Sequence, residues 1–161
     1  MAQYYWKKEA VPQNLIIKQV YGVAFSNDGN ILLRVEDNKY KLTGGKPEKN
    51  DKNYEETLKR EYLEELNVTL VDVFYLGYLL VEDDNNEKYA QVRMMAKIKN
   101  IGESKPDSDN GKIYKRFMSN IENVKDYLNY ADLAGNQLID DAITMAKEKY
   151  ELNFNNNEYF I

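Results

Sequence analysis

The sequence predicts an α+β fold built on a mixed sheet. Runs of β-branched and aromatic residues fill the first two thirds of the chain. One helix interrupts them after the third strand, and helical periodicity takes over toward the end. The 161 residues suffice for one domain with a real core. That domain is expected over residues 1–161, with an N-terminal segment at 1–15, a chemically unusual segment at 44–68 and C-terminal helices at 121–150.

Residues 16–25 read as a strand, the turn Asn27-Asp28-Gly29-Asn30 follows, and residues 31–35 read as a second strand, together a hairpin. After the turn Asp37-Asn38, residues 39–43 form a short strand leading into Gly44-Gly45. A polar loop with Pro47 precedes a helix over residues 54–66. Residues 68–81 and 89–98 flank the turn Asp83-Asp84-Asn85-Asn86 and read as a second hairpin. The polar loop at 100–111 carries Glu103, Asp107 and Asp109. Residues 112–118 suggest one more strand, and 121–128 and 133–150 suggest helices, the second with Leu138, Ala142, Met145 and Ala146 at helical spacing. The tail, Asn153 to Asn157, reads as loop or fraying end.

The helix at 54–66 holds the most informative residues. Asn53 is its N-cap, with Glu56 three residues on as in a capping box. Glu55 and Glu56 lie in the first turn, where acids are favoured. Asn67 suits the left-handed position that follows a helix. Tyr54, Leu58, Tyr62 and Leu66 recur at i, i+4 and form one apolar stripe. Glu61 and Glu65 project within that stripe, and Glu64 lies on its flank. A half-buried carboxylate is costly unless it is paired or binds a metal. Glu64 and Glu65 also stand in the last turn, where the macrodipole disfavours anions. Such breaks of local rules concentrate at functional sites. A lone Glu-x-x-Glu-Glu is more often a plain solvated face; the glycine pair upstream and the apolar setting of the acids shift the balance here.

Composition narrows the chemistry. The chain has no cysteine and no histidine. Thiol chemistry and imidazole bases are excluded, and a metal site must use oxygen ligands, which suits magnesium, manganese or calcium. A net charge of −5 argues against an extended nucleic-acid surface. The first residues are polar and mixed, and no apolar run is long enough to span a membrane, so a cytoplasmic location is expected.

Gly44-Gly45-Lys46-Pro47-Glu48, followed by Arg60-Glu61-Tyr62-Leu63-Glu64-Glu65-Leu66, resembles the signature box of the Nudix hydrolase family. In that family a glycine, a loop and a helix bearing Arg-Glu-x-x-Glu-Glu form the diphosphate and metal site. The resemblance implies an α/β/α sandwich with a mixed β-sheet. It implies Mg2+- or Mn2+-dependent hydrolysis of a nucleoside diphosphate linked to another group, X, giving a nucleoside monophosphate and phospho-X. It implies Glu61, Glu64 and Glu65 as metal ligands with a carbonyl of Gly45 or Gly44, and Arg60 as the partner that fixes a carboxylate. The general base would be Glu64, Glu65 or an acid of the 103–109 loop. Lys46 is a candidate phosphate contact, and Tyr5, Trp6 and Tyr21 are candidates to stack a base. Family members are often dimers, so a homodimer is compatible. Two departures stand out. The loop from Gly45 to Arg60 is one residue longer than the usual box, which puts the family's mid-loop glutamate at Asp51 counted forward or Lys52 counted back. This loop is where the family picture is expected to fit worst. Asn67 replaces a glycine, at little expected cost. The alternative reading is a Nudix-fold module that binds a nucleotide-type ligand without cleaving it.

Overall fold

Runs of β-branched, aromatic and other apolar residues, buried on both faces in the central strands, form nine strands of one mixed sheet among the described residues, ordered β1-β6-β7-β2-β3-β8-β9, with β4 paired to β3 and β5 to β2. The computed structural model describes residues 1–129 and 132–161. Positions 130–131, inside the predicted helical region 121–150, lie outside the described residues.

The first strand, β1 (Gln3–Lys7), lies in the N-terminal segment and pairs along the edge of β6. β2 (Ile17–Phe25) and β3 (Ile31–Glu36) follow as expected, but they are not a full hairpin. Their register contains the single pair Phe25↔Ile31, after which they part. β2 instead runs parallel to β7 on one side and antiparallel to β5 on the other. The run expected as one strand at 39–43 is therefore split. β4 (Lys39–Lys41) stays on β3, and β5 (Thr43–Gly45) crosses to β2, with Leu42 between them. Helix α1 (Tyr54–Leu66) matches the predicted span. β6 (Val68–Glu82) and β7 (Lys88–Ile101) form the second hairpin. β8 (Lys115–Ser119) starts later than expected and pairs with β3. Helices α2 (Val124–Leu128) and α3 (Leu133–Lys149) complete the chain, with a short terminal strand β9 (Tyr159–Phe160) on β8.

Helices cover both faces of the sheet. On one face Leu58, Tyr62 and Leu66 of α1 pack on Val20, Ala24, Leu32 and Val92. On the other, Leu138, Ile139, Ala142 and Ala146 of α3 pack on Val23, Phe25 and Leu33, together with Val124 and Leu128 of α2. This is the expected α/β/α sandwich. The stripe on α1 is shorter than its periodicity suggested. Tyr54, at the first residue of the helix, is 40% exposed, so the buried stripe begins at Leu58. The buried Tyr62 hydroxyl donates to the Gly22 carbonyl at 2.9 Å, which satisfies its polar end inside the core.

The Asn-rich tail does not fray. Asn153 and Asn155 donate backbone N–H groups to the carbonyls of Asn27 and Asp28, and Asn120 donates from its side chain to the Asn156 carbonyl. Backbone and side-chain amides pin a segment with almost no apolar signal, so composition alone could not show its order. Among the described residues, no helix is long and apolar enough to cross a membrane.

Candidate functional site

Helix α1 is fixed at both ends by its own sequence. The Asn53 side chain accepts from the Glu56 N–H at 2.9 Å, and Glu56 reaches back to accept from the Lys52 N–H at 2.7 Å. At the other end Asn67 adopts φ 53°, ψ 47°, and its N–H returns to Leu63 and Tyr62 carbonyls. Asn67 does more than replace a glycine. Its side-chain amide donates to the Glu103 carbonyl at 2.9 Å, and its own carbonyl accepts from Gly102 N–H at 2.9 Å. The helix end thereby anchors the 102–111 loop.

This framing sets the three acids in different surroundings. Glu61 is buried at 9% exposure, and its carboxylate lies against Gly45 on β5. A Cβ at Gly45 would fall 2.5 Å from Glu61 Cδ, so only glycine permits this approach. Glu65 is nearly as enclosed, and its Oε2 is buried without a hydrogen-bond partner. Glu64 is the most open of the three.

Arg60 binds the loop to the helix. Its Nε and one terminal nitrogen donate to the two oxygens of Asp51, at 3.1 and 3.0 Å. The same terminal nitrogen reaches the Lys46 carbonyl at 3.1 Å. The other contacts Glu61 Oε1 at 3.0 Å, and Glu48 and Glu64 at 3.3 Å each. Asp51 also accepts from the Thr57 hydroxyl and the Glu48 N–H, both at 2.9 Å, and its side chain is only 8% exposed. The loop expected to fit worst is thus firmly built. Asp51, whose N–H donates to the Glu48 carbonyl at 3.0 Å in a turn, is the loop acid that pairs with Arg60.

The structure adds a residue that sequence reasoning missed. Arg34 on β3 donates to Glu65 Oε1 at 3.0 Å and lies over the Tyr114 ring at 4.6 Å from its centroid. No local spacing connects β3 to α1, and only the sheet register brings them together. Of the loop acids, Asp107 is buried at 5% exposure, and both Asp107 and Asp109 come close enough for their charges to act on the helix acids. Glu103 contributes its backbone carbonyl instead. Lys46 likewise meets Arg60 through its carbonyl, with an exposed side chain.

A cavity of about 560 Å³ opens where β2 and β3 part. Tyr21, Arg34, Tyr40, Lys41, Arg93 and Tyr127 line much of it, and it borders the acids through Arg34. Arg93 lies 4.7 Å from the centre of the Tyr21 ring. Tyr21 is therefore placed where a ligand can reach it. Tyr5 and Trp6 do not line this cavity: both belong to edge strand β1, and the Trp6 indole donates to Asp141 of α3 at 2.7 Å.

No protein-family model matches the chain, and no curated protein matches it in sequence. Solved structures match it over most of its length. A mutant of the Bacillus subtilis pyrophosphohydrolase BsRppH is 18% identical, with a TM-score of 0.69 over 91% of this chain and 93% of that one. A Nudix hydrolase from Nitrosomonas europaea is 19% identical, with a TM-score of 0.59 over 84% and 92%. The Nudix domain of Shewanella oneidensis NrtR, in complex with ADP-ribose, is 17% identical, with a TM-score of 0.60 over 82% and 89%. The fold is that of the Nudix hydrolases.

Within this Nudix fold the helix acids are electrostatically loaded. Burial pushes Glu61 up to about 7, against the pull of Arg60 and with help from Glu64 and Asp109. Burial pushes Glu65 to about 7 as well, against Arg34 and with help from Glu61 and Asp107. Burial raises Glu64 too, opposed by Arg60. Among the described residues, no trio of acids stands ready at metal-ligand distances as the side chains lie. Arg60 and Arg34 hold Glu61, Glu64 and one oxygen of Glu65. The donor set still fits a hard divalent cation. It is all oxygen, it includes a buried carboxylate oxygen with no partner, and it abuts a backbone kept bare of side chain at Gly45.

One consequence is measurable without substrate. Unfolded, Glu61 and Glu65 release their protons near 4.5, whereas in the Nudix fold they hold them to about 7. The folded chain binds more protons in between, so stability present below pH 4.5 is lost as pH rises through 7. Thermal melts in a chelator are expected to show this decline, and Glu61→Gln is expected to flatten it. An unchanged slope in that variant would show that Glu61 is not the titrating group.

Proposed function

We propose that this chain is a Nudix hydrolase that cleaves the diphosphate linkage of a nucleoside diphosphate joined to another group, with Mg2+ or Mn2+. The observation that carries this reading is the Glu61 carboxylate pressed against Gly45 beside Glu65, whose Oε2 is buried without a partner. Negative charge concentrated in this way is costly unless a cation joins it. Glu61, Glu64 and Glu65, with the Gly45 carbonyl, would hold that cation. When bound, it supplies charge neutralisation for the phosphate oxygens and activation of water.

The remaining work belongs to the chain. Arg60, braced on Asp51 and the Lys46 carbonyl, orients Glu61 and Glu64. Glu64 is the open carboxylate and carries a raised pKa, so we assign it the general base. It takes a proton from the water that attacks phosphorus. The bridging P–O bond breaks, and its electrons leave with the second phosphoryl group. The products are a nucleoside monophosphate and phospho-X. Asp107 and Asp109 close the acid cluster from the loop and keep the proton affinity of the helix acids high. The cavity between β2 and β3 receives the part of the substrate beyond the diphosphate, with Tyr21 and Tyr40 available to stack a base. The ADP-ribose held by the NrtR Nudix domain supports a ligand of nucleotide type.

The test is product release from nucleotide sugars, dinucleotides and nucleoside triphosphates, with Mg2+ or Mn2+. Absence of turnover across the panel would reject hydrolysis. The second reading, a binding module without turnover, draws on the Arg60 nitrogen seated between Glu61 and Glu64; ligand binding without product would favour it. A narrower test targets the backbone. Gly45→Ala is expected to weaken Mg2+ binding at least about tenfold in calorimetric titration, because the added methyl displaces Glu61. Unchanged affinity would separate Gly45 from the metal site.

A further inference from the structure

One wall of the cavity is built from a segment with little stability of its own. Helix α2 has five residues, far too few to persist without tertiary support. Tyr127, Leu128 and Asn129, at its end, line the cavity beside Tyr40 of β4. The apolar contacts holding α2 are Val124 and Leu128, both buried, and the Tyr127 ring, whose centre lies 4.8 Å from those of Tyr40 and Phe117.

The polar support comes from the far end of the chain. Glu158 Oε1 accepts from the Tyr127 hydroxyl at 3.0 Å and the Asn123 side-chain amide at 3.1 Å. Its Oε2 accepts from the Asn120 N–H at 3.1 Å and lies 3.2 Å from the Ser119 hydroxyl, which also reaches the Asn120 carbonyl. One carboxylate thus ties the end of β8, the turn before α2 and the α2 residue that faces the cavity. The segment bearing Glu158 is itself anchored. It bonds to the β2–β3 turn through Asn153 and Asn155, seats the Phe154 ring on Gly29, and ends as β9 on β8. The β2–β3 turn joins the two strands whose parting opens the cavity. The tail therefore reaches the cavity wall at Tyr127 and is itself anchored on the turn that joins β2 to β3.

We propose that Glu158 is a positioning residue for ligand binding: through Tyr127 and Asn123, the C-terminal strap holds the α2 wall of the cavity in its binding-competent place. This rests on the proposed function, in which that cavity receives part of the substrate. Glu158 touches neither the acid helix nor the reacting phosphates, so its effect falls on affinity and not on the chemical step. In Glu158→Gln one amide N–H must face donors that now meet a carboxylate oxygen. Tyr127→Phe removes one hydroxyl and keeps the ring.

The experiment measures three quantities in the full chain and both variants: KM and kcat on a substrate found by the panel, the Kd of α,β-methylene-ADP with Mg2+, and backbone hydrogen exchange. If the wall is competent in about one molecule in ten once Glu158 is neutral, Kd and KM rise about tenfold. The value of kcat stays within about twofold, as expected for binding lost equally in ground and transition states. Tyr127→Phe shows a smaller rise in the same direction. Exchange quickens at 124–129 but not in α1. Unchanged Kd and KM in both variants, even with lower thermal stability, would overturn the proposal and leave hydrolysis standing. Ligand binding that depends on Glu158, in a chain that cleaves nothing, would keep the strap and reject the hydrolase. A chain that neither binds nor cleaves any member of the panel refutes both.

Discussion

Glu64→Gln is expected to lower kcat by about 100-fold or more while leaving the protein folded and, in chelator, slightly more stable. Under the proposed function, the catalytic loss would be that of a general base that also belongs to the cation's ligand set. The gain in stability has a separate source. In the native chain Glu64 loses solvation and is repelled by Asp109, Glu48 and Asp107, with only a 3.3 Å contact to Arg60 in compensation. An amide of the same shape removes the repulsion. Activity and stability moving in opposite directions is the mark of a site kept strained for function. Turnover with Mg2+, alongside a thermal melt without it, reads both. A Glu64→Gln protein with native kcat would move the base elsewhere, with Asp107 and Asp109 the next groups to replace.

Arg60→Met is expected to cost roughly 3 kcal/mol of stability, in the range for breaking a buried ion pair by removing one partner. Asp51 would be left enclosed with only the Thr57 hydroxyl and the Glu48 N–H. The Lys46 carbonyl would lose its donor, and Glu61 and Glu64 would lose theirs. Activity should also fall about 10- to 100-fold, because the carboxylates lose the group that orients them. The effect has a pH signature. The Arg60 hydrogen bonds lead the factors that hold Asp51 far below its ordinary 3.8, against the effect of burial. That stabilisation is present above pH 3.8 and is lost as pH falls toward the folded value. Urea melts should therefore show a wide gap between native and variant chains at neutral pH and a narrowing gap in acid. A gap independent of pH would mean that packing of the Arg60 stem, and not its charge, is what matters.

Features that depend on neighbours along the chain are legible in the residues themselves. Helix α1 is bounded by Asn53 and Asn67, and its acids sit at i, i+3 and i+4, so caps and periodicity place them without reference to the rest of the molecule. The β6–β7 hairpin is similar, because its turn and its alternation lie in one stretch. Signals weaken where the partner is remote. The 39–43 run alternates like one strand, yet it serves two, since β3 and β2 separate: Lys39 to Lys41 stay on β3 and Thr43 passes to β2. Tyr54 fits the apolar period yet stays exposed at the first residue of the helix, a position whose packing the period does not decide. The tail is mostly amides around one apolar anchor, Phe154, and hydrogen bonds to remote loops leave no period to read.

Local spacing and composition are enough to specify an α+β chain with a helix carrying three close glutamates behind a glycine pair. They also restrict its site to oxygen ligands, through the absence of histidine and cysteine. Other features exist only in the folded chain. Asp51 pairs with Arg60, Arg34 holds Glu65, Asp107 and Asp109 come near the helix acids while Glu103 offers its backbone carbonyl, and Glu158 accepts from the Tyr127 hydroxyl at the cavity wall. Each of these depends on which strands share a register and where the loops between them return. That register is set by burial of the whole sheet between its helices, a property no short segment carries.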